Sequence, residues 1–365
     1  MKVQRIKLPS NGQITWILLG DDYLPINPVN NYLRYLEALE RSSNTVQNYA
    51  HHLKLFWQYI HHKCLDWKEV GESDLADFIL WLRSPDPRVI SIEPQSAKRT
   101  ERTINTILSV IFSFYEFHQR NGTVKAIDAY RYINSPNRKY KPLLYEMTKN
   151  KAVKTKLLKL KEPKTFPGTL TTEQVQQLVD SCDNLRNKFL IKLLFETGIR
   201  IGEALGLRHE DIDSVAGKNE IHIIPRQDNI NDAKVKSKTE RIVQVSGNLM
   251  RLYSRYIIDE YPDVDSDYVF VNIWKGEAGQ PMNYSTVRGL FKSLKNRTNI
   301  DVHAHLLRHS HATELIRSGM DMPYVQKRLG HSSIQTTVNT YVHLADDDMK
   351  EAYKAYLETK EGKNQ

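Results

Sequence analysis

Cysteine is scarce in this chain. Cys64 and Cys182 are its two cysteines among 365 residues. Two cysteines that stand so far apart provide neither a disulfide framework nor a cysteine-based zinc site. We therefore expect reduced thiols, and the composition argues against a disulfide-stapled secreted domain.

Long apolar runs are missing as well. No stretch approaches the roughly 18 consecutive apolar residues that a membrane-spanning helix requires. Residues 1–5 lead into mixed polar sequence and lack the apolar core of a secretory signal. We therefore expect a cytoplasmic protein with no membrane partner.

Positive charge is what the chain has in excess. It carries 52 Lys and Arg against 43 Asp and Glu, a formal net charge of +9. A basic protein of ordinary globular composition favours an anionic partner, with nucleic acid first, although many basic proteins bind no DNA. Residues 138–164 hold ten Lys or Arg against two Glu. We predict a basic linker over residues 125–168 that follows a phosphate backbone, while a merely solubilising linker would have the same composition.

Hydrophobic periodicity divides the remaining sequence into three parts. Asn11-Gly12 between two apolar runs predicts a small β-hairpin within residues 1–23. Residues 24–124 repeat apolar side chains at helical spacing and predict a bundle of about four helices. Residues 169–365 read as helices around a few short strands. The expected fold class is mainly α (α+β), with an N-terminal four-helix bundle and a mostly helical second domain that contains a small antiparallel sheet.

Basic side chains in the first half of the chain are candidates for DNA contacts. Lys98, Arg99 and Arg102 cluster near the start of the last bundle helix, where they could line a phosphate-facing edge. Such charges more often mark a solvated face. The linker adds six candidates: Arg138, Lys139, Lys141, Lys154, Lys156 and Lys159.

Two cations in the second domain are candidate site residues. Arg200 stands at a glycine turn between two apolar helices, and Glu203 lies three residues further, on the same helix face, where it could orient the guanidinium. Lys236 lies in a basic loop that leads to a strand, with Lys234 and Lys238 as alternatives. A flexible ammonium suits the protonation of a leaving oxygen.

Histidines, an arginine and a tyrosine follow near the carboxyl end. His305 and Arg308 are spaced to share one helix face, and His309 comes next. His331 follows a glycine turn, and Tyr341 lies ten residues later. A phenol beside cations and imidazoles suggests attack on a phosphodiester, because guanidinium can hold the oxyanion while imidazole handles protons.

His303, His305, His309 and His311 form a histidine cluster that could instead ligate zinc, which would make the protein a zinc hydrolase. No carboxylate or cysteine accompanies them at a suitable spacing, and a cation site would not place Arg308 at its centre. We therefore expect no metal and no cofactor.

Taken in order, these motifs resemble those of the tyrosine recombinase (phage integrase) family. That family has Arg in T-G-x-R-x-x-E, Lys in a β-hairpin, H-x-L-R-H, L-G-H, and Tyr nine or ten residues later. The sequence fills each position, with Arg200, Lys236, His305, Arg308, His331 and Tyr341. Residues 43–56 also resemble the family's helical core-binding (SAM-like) domain, which corresponds to the predicted bundle.

The resemblance implies a site-specific DNA recombinase. Arg200 and Arg308 would grip the phosphoryl oxygens, and Tyr341 would form a 3′-phosphotyrosyl intermediate. His305 would accept the tyrosine proton, and Lys236 would protonate the departing 5′ oxygen. No ATP or metal would be needed, since the covalent bond stores the energy for rejoining.

The remaining roles and partners are implied in the same way. His331 would donate to a phosphoryl oxygen, with Glu203 and His309 in supporting positions. A homo-tetramer on double-stranded DNA with specific sites would exchange strands through a Holliday junction, with accessory DNA-bending or recombination proteins. The process would be integration and excision, or transposition, of a mobile element. The alternatives are a catalytically inactive DNA-binding regulator with the same fold and a DNA-relaxing enzyme.

Overall fold

The computed structural model describes residues 1–7, 14–84, 98–125, 130–133, 153–156, 158–163, 168–214, 217–226, 228–231, 233, 239–274 and 276–330. The chain forms two compact units, Met1–Lys164 and Thr165–Gln365. Within the described ranges, no helix combines the length and apolar character that crossing a bilayer requires.

A four-helix bundle makes up most of the first unit, as predicted. Its core is aromatic: Phe56 packs edge to face on Phe78, with ring centroids 5.4 Å apart, and both side chains are fully buried. Ser42 caps the second helix, because its hydroxyl accepts from the backbone N–H of Thr45. The helices are α1 (Asn27–Ala38), α2 (Ser43–His62), α3 (Glu72–Arg83) and α4 (Glu101–Arg120).

A β-hairpin is attached to this bundle. Strands β1 (Lys2–Lys7) and β2 (Ile14–Leu19) pair antiparallel, whereas the predicted Asn11-Gly12 turn lies outside the described residues. Leu18 is fully buried, and the Asn30 side chain binds both of its backbone groups: Nδ2 donates to the carbonyl at 3.0 Å, and Oδ1 accepts from the N–H at 2.8 Å. The hairpin is therefore held by the core of the bundle.

Part of the segment predicted as a basic linker is ordered against helix α4. Asn105 binds both backbone groups of Leu160, donating to its carbonyl and accepting from its N–H at 2.9 Å each. Leu158 and Leu160 pack against the bundle core. Earlier in the segment, β3 (Tyr130–Ile133) pairs antiparallel with β4 (Val153–Lys156).

The second unit is helical around one small antiparallel sheet, which confirms the predicted fold class. Its sheet has the order β5 (Ile212–Asp213), β6 (Glu220–Ile223), β7 (Arg241–Gln244). Its described helices are α5 (Thr172–Asp180), α6 (Leu185–Thr197), α7 (Ile201–Leu205), α8 (Gly247–Asp259), α9 (Tyr284–Thr298), α10 (Ala304–Arg317) and α11 (Met322–Leu329).

The Asn30 contact predicts a local effect on stability. Asn30→Ala leaves the buried N–H of Leu18 without its acceptor, while the Leu18 carbonyl keeps the Ile26 N–H as a donor. The unfolding free energy of the first unit should therefore fall by about 2 kcal/mol. Urea unfolding followed by tryptophan fluorescence measures this, since Trp16, Trp57, Trp67 and Trp81 all lie in that unit. The exposed neighbour Asn31→Ala is the matched control. Equal effects of the two substitutions would contradict the assignment.

Candidate active site

The turn between α6 and α7 places the first site residue. Gly198 ends α6 with φ of +63°, in the left-handed region that favours glycine. A Cβ at this position would come within 2.7 Å of side-chain atoms of both His311 and Leu329. Arg200 is therefore delivered to the start of α7 by a turn that needs glycine for its conformation and for space.

One buried carboxylate holds two guanidiniums at this point. Glu203 accepts from Arg200 Nη1 at 3.2 Å and from the Arg200 backbone N–H at 2.8 Å. Arg241 of β7 donates to both of its oxygens, at 2.7 and 3.2 Å. Burial raises the pKa of Glu203, but the hydrogen bonds and charges of Arg241 and Arg200 outweigh it, and the net shift is downward. The carboxylate thus stays ionised between its partners.

Arg308 reaches the same region from α10. Its side chain is almost fully buried, with the residue 5% exposed. Nη1 donates to the Gly198 carbonyl at 2.6 Å, and Nη2 donates to the Leu329 carbonyl at 2.7 Å. Arg200 Nη2 donates to the next carbonyl, that of Gly330, at 3.1 Å. The two arginines predicted to act together therefore meet at one turn.

The end of α11 binds a third arginine in the same manner. Arg241 Nε donates to the Arg328 carbonyl at 2.9 Å, so that three consecutive carbonyls, those of residues 328, 329 and 330, each accept from a different guanidinium. The last carbonyls of a helix lack partners within the helix and carry its negative dipole end, so cations are favoured there. We call this arrangement, with Arg200, Arg241 and Arg308 on residues 328–330, the three-arginine turn.

A buried histidine, His311, binds the side chain of Arg328, whose carbonyl belongs to the three-arginine turn. His311 Nε2 accepts from Arg328 Nε at 3.1 Å, and Arg328 Nη2 also donates to the carbonyls of Glu196 and Gln244. Burial, followed by the charges of Arg328 and Arg308, lowers the pKa of His311 to about 3. His311 is therefore neutral near pH 7 and acts as an acceptor in the structure.

The other histidines of α10 have different surroundings. His305 is exposed and His309 is half-buried. Burial and the charges of His305, Arg308 and His303 lower the pKa of His309. His303 caps α10, with Nδ1 accepting from the Leu306 N–H at 3.1 Å. Among the residues that the structure describes, no group of three or more His, Cys, Asp or Glu side chains could hold a metal ion.

Three predicted site residues, Lys236, His331 and Tyr341, lie outside the described residues. Their neighbours are described: Ala233 and Arg241 flank the loop of Lys236, and Gly330 immediately precedes His331. Their roles stay predictions.

The candidate DNA contacts of the bundle are not equivalent. Lys98 and Arg102 are exposed. Arg99 is half-buried and donates from Nη1 to the Leu82 carbonyl at 3.2 Å, near the end of α3, and burial lowers its pKa. Lys159 is exposed beside the anchored Leu160. The side chains of Lys154 and Lys156, in β4, and all of Arg138, Lys139 and Lys141 lie outside the described residues.

Sequence reasoning assigned no role to Arg241 or Arg328, and it considered His311 as a possible zinc ligand alone. One signal for Arg241 was available, because side chains alternate between the two faces of a strand. Arg241 shares the buried face of β7 with Val243, whereas Ile242 and Gln244 are exposed. An arginine in register with a buried valine indicates a buried ion pair. The contacts of Arg328 and His311 depend on how helices pack and carried no comparable signal.

The chain is similar to known proteins along its whole length. Residues 168–348 match the Phage integrase family, and residues 29–122 match the Phage integrase, N-terminal SAM-like domain. Transposase A from transposon Tn554 of Staphylococcus aureus is 41% identical over 365 residues, which cover 100% of both chains. Tyrosine recombinase XerD of Halalkalibacterium halodurans is 27% identical over 346 residues, 89% of this chain and 97% of that protein.

A solved structure shares the fold. The Tn1549 transposon integrase in complex with a circular intermediate DNA superposes with a TM-score of 0.60 at 16% identity, covering 89% of this chain and 99% of that one. At this level of identity the likeness concerns the fold. It agrees with the helical bundle and the mostly helical second domain described above.

The buried carboxylate of Glu203 predicts an effect on the free energy of unfolding. Glu203→Gln removes the charge that compensates Arg200 and Arg241, and breaking a buried pair from one side lowers the unfolding free energy by about 3–5 kcal/mol. Urea unfolding measures the loss. The matched control is Glu210→Gln, which breaks a 2.7 Å surface pair with Arg226 and should lower stability by about 1 kcal/mol or less. Similar losses for the two variants would show that Glu203 is not a buried counter-charge.

Proposed function

The chain belongs to the phage integrase family and is a tyrosine recombinase that cleaves and rejoins DNA strands, and we propose that it moves a mobile element by site-specific recombination. We propose further that the three-arginine turn binds the phosphate at which a strand is cut. The mobile element is supported by 41% identity, over the whole chain, to a transposase of transposon Tn554. The observation that carries the proposed site is the convergence of Arg200 and Arg308 on consecutive carbonyls, Leu329 and Gly330.

The proposed substrate is double-stranded DNA that bears specific recombination sites. A net charge of +9 favours binding to the phosphate backbone, and such binding should weaken as salt rises. The related Tn1549 integrase was solved with a circular intermediate DNA. The proposed assembly is a homo-tetramer on paired sites in the cytoplasm, aided by accessory DNA-bending or recombination proteins, with strands exchanged through a Holliday junction.

The proposed role of the arginines is to stabilise the negative charge of the transition state. The phosphorus centre becomes pentavalent and more negative as the nucleophile arrives, so donors that are fixed beforehand stabilise that state most. Arg200 is fixed by Glu203 and by the Gly330 carbonyl, and Arg308 by the carbonyls of Gly198 and Leu329. Guanidinium also binds phosphate oxygens bidentately, which ammonium does not.

The proton transfers complete the proposed mechanism. The Tyr341 Oη–P bond forms while its proton passes to His305, because a phenol with an ordinary pKa of about 10 is a poor nucleophile near neutral pH. The P–O5′ bond breaks, and O5′ takes a proton from Lys236. His331, which follows the three-arginine turn directly, donates to a non-bridging oxygen. The 3′-phosphotyrosyl bond retains the energy of the phosphodiester, so rejoining needs no ATP.

Covalent trapping on nicked DNA tests this proposal. A nick just downstream of the cleavage position lets the short fragment that carries the 5′ hydroxyl diffuse away. A 3′-phosphotyrosyl adduct should then accumulate and be visible on denaturing gels. Tyr341→Phe should abolish the adduct and retain DNA binding, since only the nucleophilic oxygen is lost. The matched control, Tyr324→Phe, alters an exposed tyrosine of α11 and should trap DNA normally.

The outcomes separate the competing functions. An adduct in Tyr341→Phe would assign the nucleophile to another residue. Binding without any adduct in the unaltered protein would indicate a DNA-binding regulator. Cleavage and rejoining of DNA without paired sites would indicate a relaxing enzyme.

A further inference from the structure

Two buried asparagines, Asn229 and Asn231, hold the loop between β6 and β7 near Ala233, and we call this part of the loop its root. Asn231 Nδ2 donates to the carbonyls of Leu205 and Met282 at 3.0 and 2.7 Å, and its Oδ1 accepts from the Ala233 N–H at 3.1 Å. Asn229 Nδ2 donates to the Ala233 carbonyl at 2.9 Å. Both asparagines are 9% exposed. Both backbone groups of Ala233 are therefore bound by buried amides.

The surrounding packing leaves little freedom to this root. A Cβ on Gly206 would stand 2.9 Å from Asn229 Nδ2, so the asparagine fills the space that glycine leaves. The Ile230 N–H donates to the Tyr268 hydroxyl at 3.2 Å. Buried amides with every group bonded are costly to disturb, because each lost partner leaves a desolvated polar atom.

Lys236 lies between the two anchored positions in the sequence. Ala233 precedes it by three residues. Arg241 follows five residues later and belongs to the three-arginine turn. Leu205, which accepts from Asn231, is the last residue of α7, the short helix that directly follows Arg200.

We propose that Asn231 is a positioning residue for Lys236 and that it acts by fixing the loop root to the helix of Arg200. This inference rests on the proposed function, in which Lys236 protonates the departing 5′ oxygen. A lysine side chain has four flexible carbons, so its ammonium is delivered to one oxygen only if its backbone is held. Loss of the Asn231 anchor should therefore weaken proton delivery and leave the phosphate grip of the arginines in place.

A change of leaving group reads out this proton step. In the ordinary substrate, the P–O5′ bond breaks and O5′ takes a proton from Lys236. When sulfur replaces that bridging oxygen, the P–S bond breaks and the thiolate departs without a proton, since a thiolate is a far weaker base than an alkoxide. Defects in proton delivery should therefore disappear on the sulfur substrate, whereas defects in fold or phosphate grip should remain.

The experiment compares single-turnover cleavage of the two substrates at saturating protein. On the oxygen substrate we expect Lys236→Ala to slow cleavage about 100-fold or more, and Asn231→Ala about 10-fold or more. On the sulfur substrate both should return to within about 3-fold of the unaltered protein, as expected when general-acid catalysis is no longer needed. Asn272→Ala, at another buried asparagine (7% exposed), is the matched control and should give the unaltered ratio of the two rates.

The outcomes distinguish a failure of the positioning inference from a failure of the proposed function. If Lys236→Ala stays slow on sulfur, the proposed role of Lys236 is wrong. If Lys236→Ala recovers and Asn231→Ala does not, the positioning inference is wrong while the proposed function stands. Asn231→Asp, which keeps an acceptor for the Ala233 N–H and removes the amide donor to the Leu205 and Met282 carbonyls, decides by the same ratio if Asn231→Ala fails to fold. An unaltered ratio in that variant would then overturn the inference.

Discussion

Three guanidiniums on three consecutive carbonyls are the interaction on which the site depends. The end of α11 offers carbonyls that have no partners within the helix, and Arg200, Arg241 and Arg308 bind one each. Glu203 supplies the buried counter-charge for Arg200 and Arg241. Because the arginines outnumber this carboxylate, the cluster carries excess positive charge that the phosphodiester of a DNA strand would complement. The helix end thus aligns cations that would otherwise repel one another.

The same contacts connect parts of the chain that are distant in sequence. Arg241 begins β7 and therefore fixes one end of the loop that contains Lys236, while Asn231 and Asn229 fix the other end. Gly330 ends the turn one residue before His331. In the sequence, the proposed acid and the proposed second histidine thus adjoin described residues that bind the proposed phosphate ligands or lie beside them. Preorganisation of this kind is what an enzyme needs to stabilise a short-lived negative charge without moving its own dipoles.

Local patterns in the sequence predicted the helices, the hairpin strands and the shared face of Arg200 and Glu203, because these depend on spacing along one element. Three features were not predicted. Arg241 read as part of an ordinary strand, since periodicity does not say which face a core will cover. The contacts of Leu160 with the bundle were not predicted, because the surrounding lysines indicate a linker. The spacing of His311 is compatible with a shared metal, and only the packing of α10 against α11 shows that it accepts from Arg328.

The most direct measurement is a crystal structure of the protein on its recombination site, with vanadate bound between the tyrosine and the 5′ hydroxyl as a stand-in for the pentavalent phosphorus. We expect Arg200 and Arg308 each to donate to a vanadate oxygen at about 2.7–3.1 Å, with Tyr341 as the attacking group. Residues 328–330 should keep their contacts with the three arginines. A vanadate that lies beyond hydrogen-bonding distance of either guanidinium would contradict the proposed role of the arginines.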